Sequence, residues 1–345
     1  VRLYHNDLSA ALTALKREEG TSWLREVSSV PLQQSLRHLD KAFTNFFEKR
    51  ADYPTYKKKH KKQSATYAAT AFVWTGKTLT LAKQKEPLAI AWSRPLPKGA
   101  IPSSVNVSRD KAGRYFVSIL VEEEIPTLPL IDKSIGIDLG LKSFIITSDA
   151  ETIANPKYYA RDEKKLARLQ RKHAKKQKGS KNKDKARKKV ARLHARIADT
   201  RRDFQHQIST RLIRENQTIC LETLAVKNML KNHCLAKAIA DVGWSEFVRQ
   251  LEYKAKWYGR TIVKIDRWYP SSKTCHVCGW VKQDLTLEDR VYVCEDCGNV
   301  TDRDYNAACN ILAAGLVASA CGGSVRPVRV KARRAASNEA GRFRP

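Results

Sequence analysis

Apolar residues recur every three or four positions in the first part of the chain, the spacing of one face of a helix. The residues on that face are Leu32, Leu36, Leu39, Phe43, Phe46 and Phe47. The spacing predicts a helical region over 1–62, with the main helix ending before Pro54 and a basic run following at 56–62.

Between residues 64 and 125 the period of the pattern changes to two, as in half-buried strands. Residues 70–74 and 78–82 flank a turn that contains Gly76, and residues 105–108 and 115–121 flank another that contains Gly113. The pattern therefore predicts two hairpins. Several short strands separated by Pro and Gly favour a small barrel or sandwich.

After a linker at 125–129, predicted strands alternate with helices, which is typical of an α/β layer. The predicted elements are a strand–turn–strand at 135–147, a long helical hairpin over 164–202 that breaks at 177–183, a strand at 218–222, a helix at 247–257 and a strand at 261–266. Residues 322–345 are rich in Gly, Ser and Arg and are expected to be disordered.

The chain is strongly basic, with 65 Lys and Arg against 35 Asp and Glu and a formal net charge of +30. The predicted hairpin 164–202 alone has 18 basic residues and two acidic ones. Such an excess favours a polyanionic partner, most often nucleic acid. The alternative is a merely solvated helical face. No apolar run is long enough to predict a membrane span.

Four of the eight cysteines form two C-x-x-C pairs, Cys275 with Cys278 and Cys294 with Cys297, separated by 15 residues. This spacing is typical of a structural zinc site in a reducing compartment. Four thiolates leave no open coordination position, so such a metal stabilises the fold and does not react. The alternative is two unrelated pairs of reduced thiols.

Three acidic residues lie at the ends of otherwise apolar segments. Asp138 belongs to the strand 135–140, Glu222 ends the strand 218–222, and Asp304 opens the last predicted helix. Buried carboxylates are costly unless a cation compensates them. If they converge, they could hold two Mg²⁺ ions for phosphodiester cleavage. Two alternatives stay open: Asp304 or Asp302 caps the helix, and Glu222 is an ordinary edge-strand carboxylate.

Several ordered motifs resemble those of the TnpB (OrfB) family, transposon-encoded RNA-guided DNA nucleases related to type V CRISPR effectors. These motifs are Gly136–Gly140, Leu221–Leu224, Ser271–Gly279, Cys294–Gly298 and Asp302–Ala308. Together with similarities near both ends, they extend the resemblance over nearly the whole chain.

The resemblance implies a multidomain α/β and β fold, in which a RuvC-like (RNase H-type) nuclease with a zinc-ribbon insertion follows a β-barrel wedge domain and a helical recognition lobe. The implied divisions are the recognition lobe at 1–62, the wedge domain at 63–131, the nuclease at 132–274 and 298–321, the zinc finger at 275–297 and a disordered tail at 322–345. Family members begin with a wedge strand, which is expected to be missing before Val1.

The resemblance also implies the chemistry. It assigns Asp138, Glu222 and Asp304 as a catalytic, Mg²⁺-binding triad, choosing Asp304 over Asp302 because it stands two residues before Asn306. The four cysteines become the zinc ligands. The expected activity is cleavage of target double-stranded DNA, guided by an RNA from the transposon end, next to a short adjacent motif.

Phosphate contacts are expected from the basic run and the basic hairpin. The candidate residues are Lys57, Lys58, Lys59, Lys61, Lys62, Arg171, Lys172, Lys175, Lys176, Arg187 and Lys188. The expected location is the prokaryotic cytoplasm, at the nucleoid. The alternatives are a guided or non-specific DNA-binding regulator that does not cleave, and a DNA-joining transposase.

Overall fold

A computed structural model describes residues 5–58, 63–286, 288–321 and 333–336, which divide into two units at the bond between Glu124 and Ile125. The first unit also contains residues 333–336. In the described part of the chain, every helix is too short or too polar to cross a membrane.

Two helices open the first unit, α1 (His5–Leu15) and α2 (Ser29–Phe47). The apolar spacing predicted α2, and this prediction is confirmed. The helical region does not extend over the whole of 1–62, because residues 52–58 have no regular structure and 59–62 lie outside the described residues. Tyr53 turns back instead, and its ring lies 5.2 Å from that of Phe46.

The first unit continues as an antiparallel sheet and a separate hairpin. Its strands are β1 (Gln63–Ala68), β2 (Phe72–Trp74), β3 (Leu79–Leu81), β4 (Ser104–Arg109) and β5 (Tyr115–Glu122). Both predicted hairpins are confirmed, since β2 pairs with β3 and β4 with β5. The two share a core around Leu79, Val105 and Ile119. Closure into a barrel stays a prediction.

The prediction that the tail is disordered is wrong for four residues. Arg333–Ala336 form a strand that pairs antiparallel with β5, giving the order β1–β4–β5 and then this strand. Backbone hydrogen bonding, which composition does not report, places this segment at the sheet edge. The rest of 322–345 lies outside the described residues.

A five-stranded mixed sheet forms the centre of the second unit. Its strands are β6 (Ser134–Leu139), β7 (Ser143–Thr147), β8 (Thr152–Ala154), β9 (Thr218–Leu221) and β10 (Thr261–Lys264), in the spatial order β10-β9-β6-β7-β8. Strands β6, β9 and β10 are parallel, β7 is antiparallel to β6, and β8 is antiparallel to β7. The predicted α/β layer is confirmed.

The helices of this unit cover both faces of the sheet. They are α3 (Tyr158–Ala174), α4 (Lys181–Glu215), α5 (Val226–Met229), α6 (Ala236–Val242), α7 (Trp244–Tyr258) and α8 (Arg303–Cys321). Ile135, Ile137 and Leu139 point to one face and share a core with residues of α4, α6 and α7. The intervening residues of β6 point to the opposite face, where α8 packs.

Helices α3 and α4 form the predicted basic hairpin, with its break between Ala174 and Lys181. Their buried stripe includes Leu166, Leu193 and Ile197, which share a small core. Asp241 of α6 fastens the hairpin by accepting hydrogen bonds from the backbone N–H of Tyr159 at 2.9 and 3.0 Å. A two-stranded ribbon of β11 (Val291–Val293) and β12 (Val300–Asp302) precedes α8.

Candidate active site and metal centre

Asp138 and Glu222 are neighbours because of the register of two parallel strands. Ile137 of β6 lies opposite Leu221 of β9, so the next positions along the two strands are these two acidic residues. The backbone N–H of Leu139 donates to the Glu222 carboxylate. Both side chains are half-buried at the carboxyl edge of the sheet.

Helix α8 brings the third carboxylate to the same edge. A Cβ atom on Gly136 would lie 2.2 Å from the carbonyl oxygen of Ala308 and 2.7 Å from the backbone nitrogen of Leu312, so only glycine permits this approach. Asp304, Ala308 and Leu312 are four residues apart and share one helix face. Asp138 follows Gly136 by two residues and points to the same side of the sheet. Asp304 therefore faces it.

Asp302 provides the helix cap. Its Oδ1 accepts hydrogen bonds from the backbone N–H groups of Asp304 at 2.9 Å and Tyr305 at 3.0 Å. The sequence left Asp302 and Asp304 as possible caps of this helix. Asp302 is the cap, because it accepts hydrogen bonds from free N–H groups of the first turn.

The electrostatics of the three carboxylates agree with their placement. Burial raises the pKa of Asp138 well above its ordinary value, and the charges of Glu222 and Asp304 raise it further, whereas Arg303 opposes the shift. Burial also raises the pKa of Glu222. A cation between these groups would favour their ionised forms. The donor set, hard carboxylate oxygens in a crowded negative setting, fits Mg²⁺.

The four predicted cysteine ligands come together. Their sulfur atoms all lie within 4.8 Å of one another. The Sγ atoms of Cys275 and Cys297 are 3.7 Å apart, and those of Cys278 and Cys294 are 3.5 Å apart. Sulfur ligands at about 2.3 Å from a tetrahedral zinc ion would be about 3.8 Å apart. The four cysteines could hold a metal ion, and the spacing fits zinc.

Two matching backbone turns shape this cluster. The N–H of Gly279 donates to the carbonyl of Cys275 at 2.9 Å, and that of Gly298 donates to the carbonyl of Cys294 at 3.0 Å. Both glycines have positive φ, 81° and 71°, which side chains with a Cβ disfavour. The glycine after each cysteine pair is thus required by the turn.

One thiol of the cluster ionises readily. Burial opposes ionisation of Cys275, but the backbone N–H groups of Cys278 and Val277 donate to its sulfur and lower its pKa to about 6. A thiolate is the form that binds metal.

The carboxylates are less tightly assembled than the cysteines. Within the described ranges, the cysteine set is the one group of three or more His, Cys, Asp or Glu side chains gathered closely enough to hold a metal ion. The three carboxylates interact electrostatically, but their oxygen atoms are not gathered as closely as the four sulfur atoms.

The predicted nucleic-acid contacts are on the surface where they are described. Lys57 and Lys58 are exposed, as are Arg171, Lys172, Lys175, Lys176 and Lys188 on the basic hairpin. Arg187 is half-buried and pairs with Asp184 at 3.3 Å. Lys59, Lys61 and Lys62 lie outside the described residues.

Sequence reasoning used Asn306 only as a motif position and missed the contact role of two buried asparagines of α8, Asn306 and Asn310, which donate hydrogen bonds to carbonyls just before Cys275. Their four-residue spacing on a helix was the available signal. Two aromatic residues after β10 have different surroundings: Trp268 is 79% exposed, with Arg267 stacked on it at 4.8 Å, whereas Tyr269 packs against a buried cluster.

Comparison with known families gives two matches. Residues 117–233 match a family described as "Probable transposase" (OrfB of IS605), and residues 244–311 match the Cas12f1-like TNB domain.

Curated relatives cover nearly all of the chain. A protein of Streptomyces pristinaespiralis, named as an RNA-guided DNA endonuclease, is 55% identical over 96% of this chain and 83% of its own length. InsQ of Escherichia coli K12, named in the same way, is 32% identical over 94% of this chain and 84% of its own length.

A solved structure shares the fold. The protein in a cryo-EM structure of a Cas12f1–sgRNA–target DNA complex is 18% identical, with a TM-score of 0.53 over 81% of this chain and 70% of that one.

Proposed function

The chain belongs to the TnpB (OrfB) family of RNA-guided DNA endonucleases, and from that membership we propose that it cuts target DNA under the direction of a guide RNA, using Mg²⁺ held by Asp138, Glu222 and Asp304. The observation that carries the proposal is the convergence of these carboxylates at one sheet edge, where burial and mutual repulsion raise the pKa of Asp138. A binding protein has no need for that arrangement.

The three carboxylates come from three different elements, and in this proposal they bind the same metal ions. Asp138 and Glu222 would hold the ions from the parallel strands, and Asp304 would close the site from α8. Bound Mg²⁺ lowers the pKa of water and stabilises charge on the phosphodiester oxygens. The N–H of Leu139 orients the Glu222 carboxylate, and Asp302 keeps the first turn of α8 ordered.

The cysteine cluster serves the fold. With four sulfur ligands no coordination position remains for substrate, so zinc at Cys275, Cys278, Cys294 and Cys297 would be structural. The ribbon that carries two of these cysteines leads directly into α8.

Guide and target would contact the basic surfaces. In this proposal residues 1–62 form a recognition lobe, 63–131 a wedge domain, and 132–274 with 298–321 a RuvC-like nuclease. The exposed lysines of the basic hairpin would neutralise phosphates, and base pairing would supply sequence specificity. The exposed ring of Trp268, after the strand next to Glu222, is suited to stacking on a single-stranded base.

The test is cleavage by the purified protein with its copurifying RNA. We expect a discrete structured RNA on sequencing, and Mg²⁺-dependent cutting of DNA that matches it. Asp138→Ala should reduce cutting at least about a thousandfold, because a metal ligand is lost, while RNA binding stays within a few-fold. Asp132→Ala, at an exposed position two residues before β6 begins, is the matched control.

Two outcomes would contradict the proposal. Random RNA fragments would favour a generic binder, and guided DNA binding without cutting would favour a regulator of the same family. An equal loss of RNA binding in Asp138→Ala would make that residue structural.

A further inference from the structure

Helix α8 is held on two opposite sides. Its face with Asp304, Ala308 and Leu312 packs on β6, where Gly136 permits direct backbone contact. Positions two residues apart on a helix point in nearly opposite directions. Asn306 and Asn310 therefore lie on the other side, toward the first cysteine turn.

Asn306 makes a near-complete set of hydrogen bonds with that turn. Its Oδ1 accepts from the backbone N–H of His276 at 2.9 Å and lies 2.9 Å from the His276 Nδ1 atom. Its Nδ2 donates to the carbonyl of Thr274 at 2.6 Å. The side chain is fully buried, at 0% exposure, so each lost bond would leave a buried polar group unsatisfied.

Asn310 repeats the contact one turn later. Its Nδ2 donates to the carbonyls of Ser271 at 2.8 Å and Thr274 at 2.5 Å. The ring of His276 also packs edge-on against that of Tyr305, with centroids 5.8 Å apart. The residues on both sides of Cys275 are thus tied to the first two turns of α8, which contain Asp304.

We propose that Asn306 and Asn310 are positioning residues: by fastening the metal-bound cysteine turn to α8, they hold Asp304 against β6, so that metal at the cysteines sets the order of the carboxylate site. This inference rests on the proposed function for its catalytic consequence only. The contacts themselves predict that α8 loosens when the cysteine turn loses its metal.

The physical reason is that metal would join the first cysteine turn to the second. Within the first turn, the N–H of Cys275 donates to the carbonyl of Trp280 at 2.7 Å and the N–H of Gly279 donates to the carbonyl of Cys275 at 2.9 Å, whereas Val277 and Cys278 are exposed. Without metal the link between the two turns would be lost, and the asparagines would have a less rigid partner. Polar groups that orient metal ligands typically affect metal affinity or activity by about 10- to 100-fold.

The experiment compares Asn306→Ala with Asn216→Ala. Asn216 is also buried and also donates through Nδ2 to a backbone carbonyl, that of Leu212 at 3.0 Å, but it lies at the other end of the sheet. Amide hydrogen exchange of residues 303–308 is measured in both variants, and in the unmodified protein before and after zinc removal by a thiol-directed chelator. The Mg²⁺ concentration for half-maximal cleavage is measured in parallel.

We expect exchange at 303–308 to rise about tenfold in Asn306→Ala and after zinc removal, with the Mg²⁺ midpoint rising by about tenfold. Asn216→Ala should leave both within about twofold. His276→Ala, which keeps the backbone N–H bond and removes the ring contacts, should give a smaller rise, and it replaces Asn306→Ala if that variant does not fold.

Unchanged exchange at 303–308 after zinc removal would overturn the inference, as would equal behaviour of the two asparagine variants. If the protein cuts no DNA under any condition, the proposed function fails, and hydrogen exchange still decides whether the cysteine turn orders α8.

Discussion

The two candidate metal sites of this protein are assembled in different ways. The cysteines come from two short turns, and their sulfur atoms already lie within 4.8 Å of one another. The carboxylates come from β6, β9 and α8, segments far apart in the chain, and they have not closed into such a set. Two local turns, each closed by a backbone hydrogen bond, bring the sulfur atoms together, whereas buried carboxylates repel one another until a cation compensates their charge.

The carboxylate site therefore depends on packing between elements that are distant in the chain. Gly136 and Gly315 show where that packing is closest, since a Cβ atom on Gly315 would lie 2.3 Å from the Cys220 sulfur. A change at either contact should disturb the carboxylates and spare the cysteines.

Among changes that leave the carboxylates and cysteines themselves in place, the largest effect is expected from Gly136→Ala. The added methyl group would overlap Ala308 and displace α8, costing about 1–3 kcal/mol of folding free energy. DNA cleavage should fall about a hundredfold, because the carboxylates would be misplaced. Metal content by elemental analysis should stay unchanged. Gly20→Ala, where the methyl group meets nothing within 4 Å, is the control. Loss of metal in Gly136→Ala would show that the cysteine site depends on the packing of α8 against β6.

A smaller effect on cleavage is expected from Cys294→Ser, which removes one sulfur ligand. Metal should be lost, and cleavage should fall about tenfold through the looser α8. Guide RNA binding should change little, since the basic hairpin is elsewhere. Cys234→Ser, at an exposed cysteine outside the cluster, should keep its metal. Full metal content in Cys294→Ser would refute the four-sulfur site.

The smallest effect is expected on the pH dependence of thermal stability, measured without Mg²⁺ for Asp138→Asn. Because folding raises the pKa of Asp138, the folded state binds this proton more tightly than the unfolded state does. Its contribution is therefore fully present below about pH 4, the ordinary carboxyl value, and is lost as the pH rises toward the folded-state pKa. Asp138→Asn should thus melt at a higher temperature than the unmodified protein at pH 7.

That difference should narrow as the pH falls toward about 4, and added Mg²⁺ should raise the melting temperature of the unmodified protein only. Asp132→Asn, an exposed carboxylate of the same strand region, should show neither effect. Equal melting temperatures of Asp138→Asn and the unmodified protein at pH 7 would mean that burial and the neighbouring carboxylates do not raise the pKa of Asp138.

Features that depend on short spacing could be predicted from the amino-acid sequence alone. The alternation of apolar residues predicted both hairpins, the helical period predicted α2 and the basic hairpin, and the C-x-x-C pairs with their glycines predicted the cysteine cluster. Each of these features is formed by residues that are close together in the sequence, so the local pattern is enough to predict it.

Tertiary structure decided the rest. Residue types alone left Asp302 and Asp304 equivalent, and the cap hydrogen bonds separated them. The roles of Asn306 and Asn310, and the pairing of Arg333–Ala336 with β5, required contacts between segments distant in sequence. Such contacts depend on which faces are buried together, and single-residue patterns do not encode that.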